Sequence, residues 1–541
     1  MVKSAYPPFL PFLGIQQTQL SKTTTMTFKT IWIRWILLWI LVCVGPYWSI
    51  ATTESTSERL QNKIYLPLQA NNILTRDIAS NPSIFGVEAG GYRVEQQLYR
   101  SAETQAHWLR NNVFAIEWSE VEKTEGKRDW NTQSIRDVER HMMLANQYGF
   151  QLIQIVRGTP QWARKYPGKG ASCGPIEQQK YRAFASFMRD VVTRYSAPPF
   201  NIKYWEIWNE PDAPALMGDN AQEVFGCWGE IGVDPYYSYG GRHFGFMLQN
   251  VYPAIKAADP ESKVILGGLL LSCHPTFEKA NDSICSKLSA GFLEGVFIGG
   301  GGDSFDILGI HAYDIWFGGT SYKNEQWYSG SDSIGPSLAA KTDYVRGVLA
   351  KYGYANKPIM NTEYALICWQ CKTPPPEFEA TKANYVAQAN VIAMAKGLLA
   401  NIWYSVEGWG THQTQLLHLN GQTTPAYNAL SVAVDRLGPA TFSQIEPSAE
   451  NVRIYAFQRV DRKLWVAWSS TNEKVVINLP EMPNIVMDAV GNRIEASQTV
   501  TVTANPLYIE FSPPAPPPPP EPPPPDLPPL PEPPLPDAPP Q

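Results

Sequence analysis

Short apolar runs alternate with longer segments of helical periodicity between about residues 81 and 440. Eight of these runs have the β-branched and aromatic composition of buried strands: residues 84–87, 112–118, 150–156, 202–208, 264–267, 305–310, 358–362 and 401–406. The segments between them space apolar residues three and four apart, most clearly over residues 132–148 and 179–195. Eight strands that alternate with helices predict an α/β fold, a (β/α)8 TIM barrel.

Shorter alternating strands replace this pattern after about residue 440. Apolar and polar residues alternate over residues 453–458, 464–468 and 475–479, and turn residues such as Gly491 and Asn492 separate segments of this kind. Residues 441–512 are therefore predicted to form a small C-terminal β-sandwich that follows a barrel of residues 81–440. Residues 513–541 are mostly proline, which cannot build a core, and this predicts a disordered arm of polyproline II conformation.

The N-terminal region has the order of residue types found in a secretory signal peptide. Lys29 and Arg34 lead into an apolar run that ends near residue 44, and the small residues Ser49 and Ala51 follow at a cleavage-like spacing. Residues 1–51 are expected to be a signal peptide or an N-terminal membrane anchor, and residues 52–80 a polar linker. Both alternatives predict a secreted or cell-surface protein with no membrane contact beyond this segment.

Charge and aromatic content narrow the classes of partner. The 541 residues have a formal net charge of −6, which argues against nucleic acid or an anionic membrane surface as the partner. The chain also contains 18 Trp and 26 Tyr, a content that suits either a large core or a cleft in which sugar rings stack on aromatic rings. The count alone leaves both interpretations open.

Cysteine usage is consistent with export. Cys43 lies in the apolar N-terminal run, and an even set of six cysteines follows it, which predicts disulfides. Local pairing would join Cys173 with Cys227, Cys273 with Cys285, and Cys368 with Cys371. No group of His and Cys residues has the spacing of a metal site.

Two of the predicted strands end in a glutamate. The apolar strand of residues 202–208 stops at Pro211 and presents Glu210 at its end, and Glu363 follows residues 358–362 in the same way. By strand count these are the fourth and seventh strands, and the C-terminal ends of barrel strands share one rim, where active sites lie. Two carboxyl groups that face each other across a cleft suit glycoside hydrolysis, in which one donates a proton and the other attacks or activates water.

The segment Trp208-Asn209-Glu210-Pro211 resembles the strand-four signature of the large clan of retaining (β/α)8 glycoside hydrolases. The sequence is most similar to glycoside hydrolase family 39 and its bacterial relatives. The resemblance covers roughly residues 84–437, and a trailing β-sandwich is also typical of that family. It implies that Glu210 is the general acid/base, that Glu363 is the nucleophile, and that Asn209 binds the 2-hydroxyl group of the sugar.

The same resemblance implies further contacts with a sugar. His311 and Tyr313 follow the sixth strand, where clan members keep a His and a Tyr near the nucleophile. Trp162 lies in a turn after the third strand that is similar to the turn of the clan, and Trp403 or Trp409 would form the floor beneath the sugar. These five residues are the substrate-binding candidates beside Asn209.

One departure from the clan pattern concerns the charge beside the nucleophile. Many clan members carry an arginine on strand two, whereas the second predicted strand, residues 112–118, contains none. Arg157, at the end of the third strand, is the candidate to supply the charge instead. Glu206 lies four residues before Glu210 on the same face of its strand, and it is predicted to point into the barrel as a member of a structural ion pair.

The resemblance implies a secreted enzyme that hydrolyses O-glycosidic bonds of an oligo- or polysaccharide by retaining double displacement, without a metal or organic cofactor. The alternative is a non-catalytic carbohydrate-binding protein with a glycosidase-like barrel, against which the intact Glu210 and Glu363 argue. Aromatic residues in the loops of residues 211–239 and 314–334 slightly favour action at chain ends, but exo and endo action both stay open.

Overall fold

The computed structural model describes residues 83–91, 93–166, 172–213, 227–230, 239–275, 288–327, 336–369, 371–408, 412–471 and 473–512. The predicted signal or anchor region, the polar linker, the proline-rich tail, Trp409 and Cys285 lie outside these residues. None of the helices in the described ranges is both long and apolar enough to span a membrane.

Ten strands make up the first sheet, and eight of them are parallel and close into a barrel. The ten strands are β1 (Phe85–Glu88), β2 (Trp108–Arg110), β3 (Ile116–Glu117), β4 (Gln151–Arg157), β5 (Tyr204–Ile207), β6 (Lys263–Leu269), β7 (Ile307–Gly318), β8 (Ser321–Lys323), β9 (Ile359–Ile367) and β10 (Ala400–Trp403). The short strand β3 pairs with the end of β4, and β8 pairs antiparallel with the extension of β7. The other eight close between β10 and β1, where Phe85 lies opposite Asn401. The predicted TIM barrel is confirmed.

Helices follow the barrel strands and cover the outside of the sheet. The described helices are α1 (Val94–Glu103), α2 (Trp118–Val121), α3 (Gln133–Gln147), α4 (Tyr181–Tyr195), α5 (Gly241–Ala258), α6 (Leu288–Ile298), α7 (Leu338–Lys351), α8 (Pro376–Ala395) and α9 (Pro425–Leu437). Helix α3 illustrates how sequence produces them. The Thr132 hydroxyl caps its first turn by accepting from the N–H of Ile135, and Ile135, Val138 and Met142 bury one face against the barrel.

The second barrel strand is not the run that the sequence pattern predicted. Barrel strand β2 is the three-residue segment Trp108–Arg110, which pairs with β1 on one side and with β4 on the other. Of residues 112–118, only Ile116 and Glu117 form a strand, the short β3 at the rim. The prediction was wrong because it ranked segments by apolar length. A three-residue strand carries too little pattern to compete with a longer apolar run beside it.

The lower half of the barrel is closed by apolar side chains. These side chains come from six of the eight barrel strands and pack into one cluster: Trp108, Ile153, Ile265, Ile307, Met360, Ala400 and Ile402. Trp108 is the largest of them, and Gly86 makes room for it, since a Cβ there would lie 2.7 Å from the Cβ of Trp108. With the bottom of the barrel filled, only the upper half is available for polar groups.

Antiparallel strands follow the barrel. They are β11 (Thr441–Ile445), β12 (Val452–Gln458), β13 (Lys463–Ser469), β14 (Val475–Asn478), β15 (Ile485–Asp488), β16 (Arg493–Ile494), β17 (Thr499–Val502) and β18 (Leu507–Glu510). Six form one sheet, and β14 pairs with β17 in a second. Val452, Val486 and Val502 belong to their shared core. The arrangement agrees with the predicted sandwich-like C-terminal unit.

Two of the three expected disulfides join pairs of described residues. Cys173 is bonded to Cys227 and Cys368 to Cys371. Cys273 is also disulfide-bonded, but its expected partner Cys285 lies outside the described residues. The Cys173–Cys227 bond ties the loop after β4 to the loop after β5, so it stabilises the part of the rim from which Glu210 projects.

Candidate active site

Glu210 lies just beyond the fourth barrel strand, on a sharply turned segment. Strand β5 ends at Ile207, and Trp208 and Glu210 then adopt positive φ angles of 71° and 49°. The N–H of Glu210 donates to the carbonyl of Gly268 on β6 at 3.0 Å, which holds this uncommon backbone conformation. The carboxyl group is 4% exposed. Backbone strain of this kind is often found at functional sites.

Glu363 lies in the seventh barrel strand rather than at its end. Strand β9 continues to Ile367, so the glutamate lies within the strand. Its neighbour in β7 is His311, beside a register shift that follows Ile310. A register shift of this kind interrupts the alternation of side chains, so a residue can point to the face opposite to the one that regular alternation would give it. The strand count of the sequence analysis, four and seven, agrees with the barrel order.

His311 bridges the two glutamates. Its Nδ1 lies 2.8 Å from Oε1 of Glu210 and 3.4 Å from Oε2 of Glu363. One oxygen of each carboxyl group and one ring nitrogen lie within 4.8 Å of one another. On the opposite side of the ring, a Cβ at Gly268 would lie 2.1 Å from Nε2, so the imidazole occupies this position because residue 268 is glycine.

Arg110 is the buried cation of the site. Its Nε donates to Glu206 at 2.6 Å, its Nη1 donates to Glu363 and, at 2.9 Å, to Glu88, and its Nη2 donates to Asn209 at 2.6 Å. The guanidinium is completely buried. The bond to Asn209 orients its amide, and Glu206 also accepts from the N–H of Gly268 at 2.8 Å. The prediction that Glu206 belongs to a structural ion pair is confirmed.

Arg157 does not supply the charge beside the nucleophile. Its guanidinium pairs with Glu117 at 2.6 Å and with Asn112, away from Glu363. The arginine that the sequence analysis found missing is Arg110, which ends the short strand β2. The apolar pair Trp108-Leu109 directly before it is the local signal that could have located that strand.

The surroundings push the two glutamates toward different protonation states. Burial, the charge of Glu363 and the charge of Asp212 raise the pKa of Glu210 well above its ordinary value. Burial also raises the pKa of Glu363, but Arg110 and Tyr313 oppose that increase by donating to its carboxylate. Glu363 is therefore the member of the pair that ionises first, while Glu210 retains its proton.

His311 is neutral in this environment. Burial and the nearby charges of Arg110 and Lys341 lower its pKa well below the ordinary value. Lys341 reaches up from α7 and donates at 2.8 Å to the carbonyls of Leu270 and of His311 itself. Lys341 has no distinguishing sequence signal, because the local pattern of a helix does not show that one of its lysines is buried.

The predicted aromatic residues have different places. Tyr313 contacts the pair of glutamates, since its hydroxyl donates to Oε2 of Glu363. Trp403 does not face the cleft: its ring packs edge-on against Tyr364 and Tyr385 in the layer between strands and helices, and it is fully buried. The adjacent Tyr404 lies on the site side, with its ring 6.2 Å from that of Tyr313. Trp403 therefore cannot form the floor of the cleft, and its alternative, Trp409, stays a prediction.

Trp162 lies outside the catalytic cluster. Its indole N–H donates to the carbonyl of Glu122 at 2.8 Å, its ring meets Trp118 edge-on, and Lys180 lies above it. These contacts join the loops after β3 and β4. Trp409 lies outside the described residues.

The spacing of Glu210, His311 and Glu363 could also hold a metal ion. The donor set does not favour this use. Arg110 already supplies a cation to Glu363, and a second cation in contact with the same carboxylate would be repelled. The three groups are better explained as an acid, its neutral hydrogen-bond partner and an ionised carboxylate.

Comparison with known proteins supports the fold assignment. No protein-family model and no curated protein sequence matches this chain. Among solved structures, a family 39 glycoside hydrolase from the gut symbiont Bacteroides cellulosilyticus WH2 is similar, with a TM-score of 0.58, 16% identity, and coverage of 80% of this chain and 81% of the other.

Two further solved structures align over most of their length. A conserved exported protein from Bacteroides fragilis has a TM-score of 0.52 at 12% identity, with coverage of 79% of this chain and 98% of that one. The catalytic domain of the GH30 xylanase C from Talaromyces cellulolyticus has a TM-score of 0.51 at 13% identity, with coverage of 80% and 99%. The chain therefore shares the (β/α)8 fold of family 39 and family 30 glycoside hydrolases.

Proposed function

We propose that this protein is a glycoside hydrolase that cleaves O-glycosidic bonds of an oligo- or polysaccharide with retention of anomeric configuration. The main observation in support is that His311 bridges two buried glutamates, Glu210 and Glu363, and that one oxygen of each carboxyl group lies within 4.8 Å of one oxygen of the other. Retaining enzymes use carboxyl groups about 5 to 5.5 Å apart, whereas inverting enzymes need about 6.5 to 9.5 Å to admit water. The short separation favours direct attack by a carboxylate.

In the first step, a carboxylate oxygen of Glu363 attacks the anomeric carbon and forms an ester bond to the sugar. The bond between that carbon and the leaving oxygen breaks as Glu210 transfers its proton to the oxygen. Arg110 and Tyr313 hold the Glu363 carboxylate in place through hydrogen bonds, so its orientation is set before the substrate enters.

In the second step, water attacks the same carbon from the side that the leaving group vacated. Glu210, now ionised, accepts a proton from this water, and the ester bond breaks to release Glu363. Esterification removes the negative charge of Glu363, which is one of the causes that raise the pKa of Glu210. Glu210 can therefore act as an acid in the first step and as a base in the second.

Two finer assignments accompany the proposal. Asn209 is the candidate donor to the sugar 2-hydroxyl, because Arg110 orients its amide beside the catalytic pair. We also propose that the chain is exported, on the basis of the order of residues in its N-terminal region and of its disulfides.

The test is hydrolysis of a panel of aryl glycosides and of plant and microbial polysaccharides by the wild type, Glu363→Ala and Glu210→Ala. Glu117→Ala is the matched control, because Glu117 lies at the same rim but pairs with Arg157. We expect both catalytic variants to lose about 10⁴-fold or more on unactivated substrates and the control to stay near the wild type.

Azide distinguishes the two roles. With an aryl glycoside that has a good leaving group, Glu210→Ala should give a glycosyl azide of retained configuration, because azide replaces water in the second step. Glu363→Ala should give the inverted azide, because azide then attacks in place of the carboxylate. Inverted sugar as the first product of the wild type would refute the retaining mechanism. Binding of panel members without any turnover would favour the non-catalytic alternative.

A further inference from the structure

Three buried carboxyl groups share the single guanidinium of Arg110. Glu88 on β1, Glu206 on β5 and Glu363 on β9 all accept from it, and each is at most 4% exposed. If all three were ionised, one positive charge would face three negative charges in a site without bulk water. An uncompensated buried charge is costly, so the arrangement requires at least one of these groups to hold a proton.

Glu88 is the member of this group that Arg110 holds least closely. The bond from Nη1 to Glu88 is 2.9 Å, whereas the bonds to Glu363 and Glu206 are 2.5 and 2.6 Å. The same nitrogen, Nη1, serves Glu88 and Glu363, so the two carboxyl groups compete for it. The other oxygen of Glu88 accepts from the backbone N–H of Asn112 at 3.0 Å.

We propose that Glu88 is a proton-bearing positioning residue. As a neutral acid it leaves the charge of Arg110 to Glu363 and Glu206, and as a carboxylate it adds a negative charge beside the catalytic pair. The inference rests on the proposed function for its catalytic consequence but not for the protonation itself. Nothing in the sequence pattern marks Glu88, which ends a four-residue strand.

The groups that face Glu88 support this assignment. Burial raises its pKa to about 8, Arg110 opposes the increase, and the charge of Glu363 adds to it. From the end of β10, Tyr404 faces the same cluster, and burial together with the charges of Glu88 and Glu363 raises its pKa. Tyr404 therefore stays protonated and brings no compensating charge. Among the described groups facing Glu88, Arg110 is the cation.

The catalytic consequence has a definite sign. Above the pKa of Glu88, its carboxylate competes with Glu363 for Arg110 and adds a negative charge to the cluster, which disfavours ionisation of Glu210 and keeps the acid protonated to higher pH. Glu88→Gln reproduces the neutral form at every pH and removes this effect. We expect the alkaline limb of the kcat/KM profile to move to lower pH in this variant. The acid limb should stay in place, because Glu88 is neutral there in the wild type as well.

At neutral pH the Gln variant should lose no more than about fivefold in kcat/KM, the effect of one weakened neutral hydrogen bond. Glu122→Gln is the matched control. Glu122 is an equally buried glutamate that pairs with Arg128 at 2.8 Å and lies outside the catalytic cluster. The control should move neither limb. A uniform loss at all pH values in Glu88→Gln would indicate a purely structural role and would overturn the proposal.

A second measurement is independent of turnover. In ¹³C NMR of the protein labelled at glutamate carboxyl carbons, we expect one carboxyl group to titrate at about pH 8 and to be absent from Glu88→Gln. Glu210→Gln serves to assign the other carboxyl group with a raised pKa. If the signal that disappears in Glu88→Gln belongs to a carboxyl group that is ionised over the whole pH range in the wild type, the proposal fails. If the titration is found but the protein hydrolyses no glycoside, the proposed function fails while the protonation of Glu88 stands.

Discussion

The two sides of the catalytic cleft differ although each presents the same residue type. Glu363 lies within strand β9, and a guanidinium and a phenol both donate hydrogen bonds to it. Glu210 lies on a turned segment with a positive φ and meets a neutral imidazole. Strong donors favour the charged form of a carboxyl group, and burial near other carboxylates favours the neutral form. The comparison teaches that neighbours, not residue type, decide which glutamate ionises first, and the proposed roles of nucleophile and acid follow from that difference.

Arg110→Met, which removes the cation beside the proposed nucleophile Glu363, should have the largest effect on kcat/KM. Removing the cation leaves Glu88, Glu206 and Glu363 uncompensated, and loss of one partner of a buried pair costs about 3 to 5 kcal/mol. We expect a loss of about 10² to 10³-fold in kcat/KM at neutral pH and an acid limb that moves to higher pH, because the pKa of Glu363 rises.

Arg157→Met is the control for that experiment, since Arg157 was the candidate of the sequence analysis and pairs with Glu117 instead. Its acid limb should stay in place. If the acid limb moves in Arg157→Met and not in Arg110→Met, then Arg157, and not Arg110, is the arginine that stabilises the ionised form of Glu363.

Tyr313→Phe should weaken the same side by less. The lost hydrogen bond to a charged group is worth about 1.5 to 3 kcal/mol, so kcat/KM should fall about 10- to 100-fold. The acid limb should move to higher pH, because the donor lowers the pKa of Glu363, while the alkaline limb set by Glu210 should not. Tyr195→Phe, which removes a tyrosine donor to Glu139 on the barrel exterior, should change neither limb.

His311→Asn tests the side of the acid. The imidazole Nδ1 contacts Oε1 of Glu210, and in the tautomer with the proton on Nδ1 the neutral ring donates to the ionised carboxylate, which favours ionisation. Its removal should raise the pKa of Glu210, move the alkaline limb to higher pH and lower kcat/KM about tenfold. A shift of that limb to lower pH would show that the imidazole instead stabilises the protonated acid.

The two disulfides should contribute unequally to the free energy of unfolding. Cys173–Cys227 spans 54 residues beside Glu210, whereas Cys368–Cys371 spans three beyond the strand of Glu363. Loop-closure entropy predicts a loss of about 4 kcal/mol on replacing the first pair by alanine and less than half of that for the second. Thermal unfolding of the two double variants measures the difference. Equal losses would mean that chain entropy is not the main contribution.

Much of the site could be predicted because it depends on local composition. Glu210 follows an apolar strand and Glu363 lies within one, and parallel strands direct their C-terminal halves toward one rim. Tyr313 and His311 were located by the same reasoning with the help of the family resemblance. Arg110 was missed because β2 has only three residues, and the longer apolar run of residues 112–118 obscured it.

The sequence by itself determined the barrel, the two glutamates and their common rim, since strand periodicity and strand ends depend on the order of neighbouring residues. Only the tertiary structure decided which side chains face the cleft. An extra residue in β9 between Asn361 and Glu363 shifts its register against both β7 and β10, whereas β10 keeps its regular alternation, so Trp403 packs outward and Tyr404 lies on the site side. The roles of Arg110, Glu88 and Lys341 arise from contacts between residues distant in the chain, and no local pattern records such contacts.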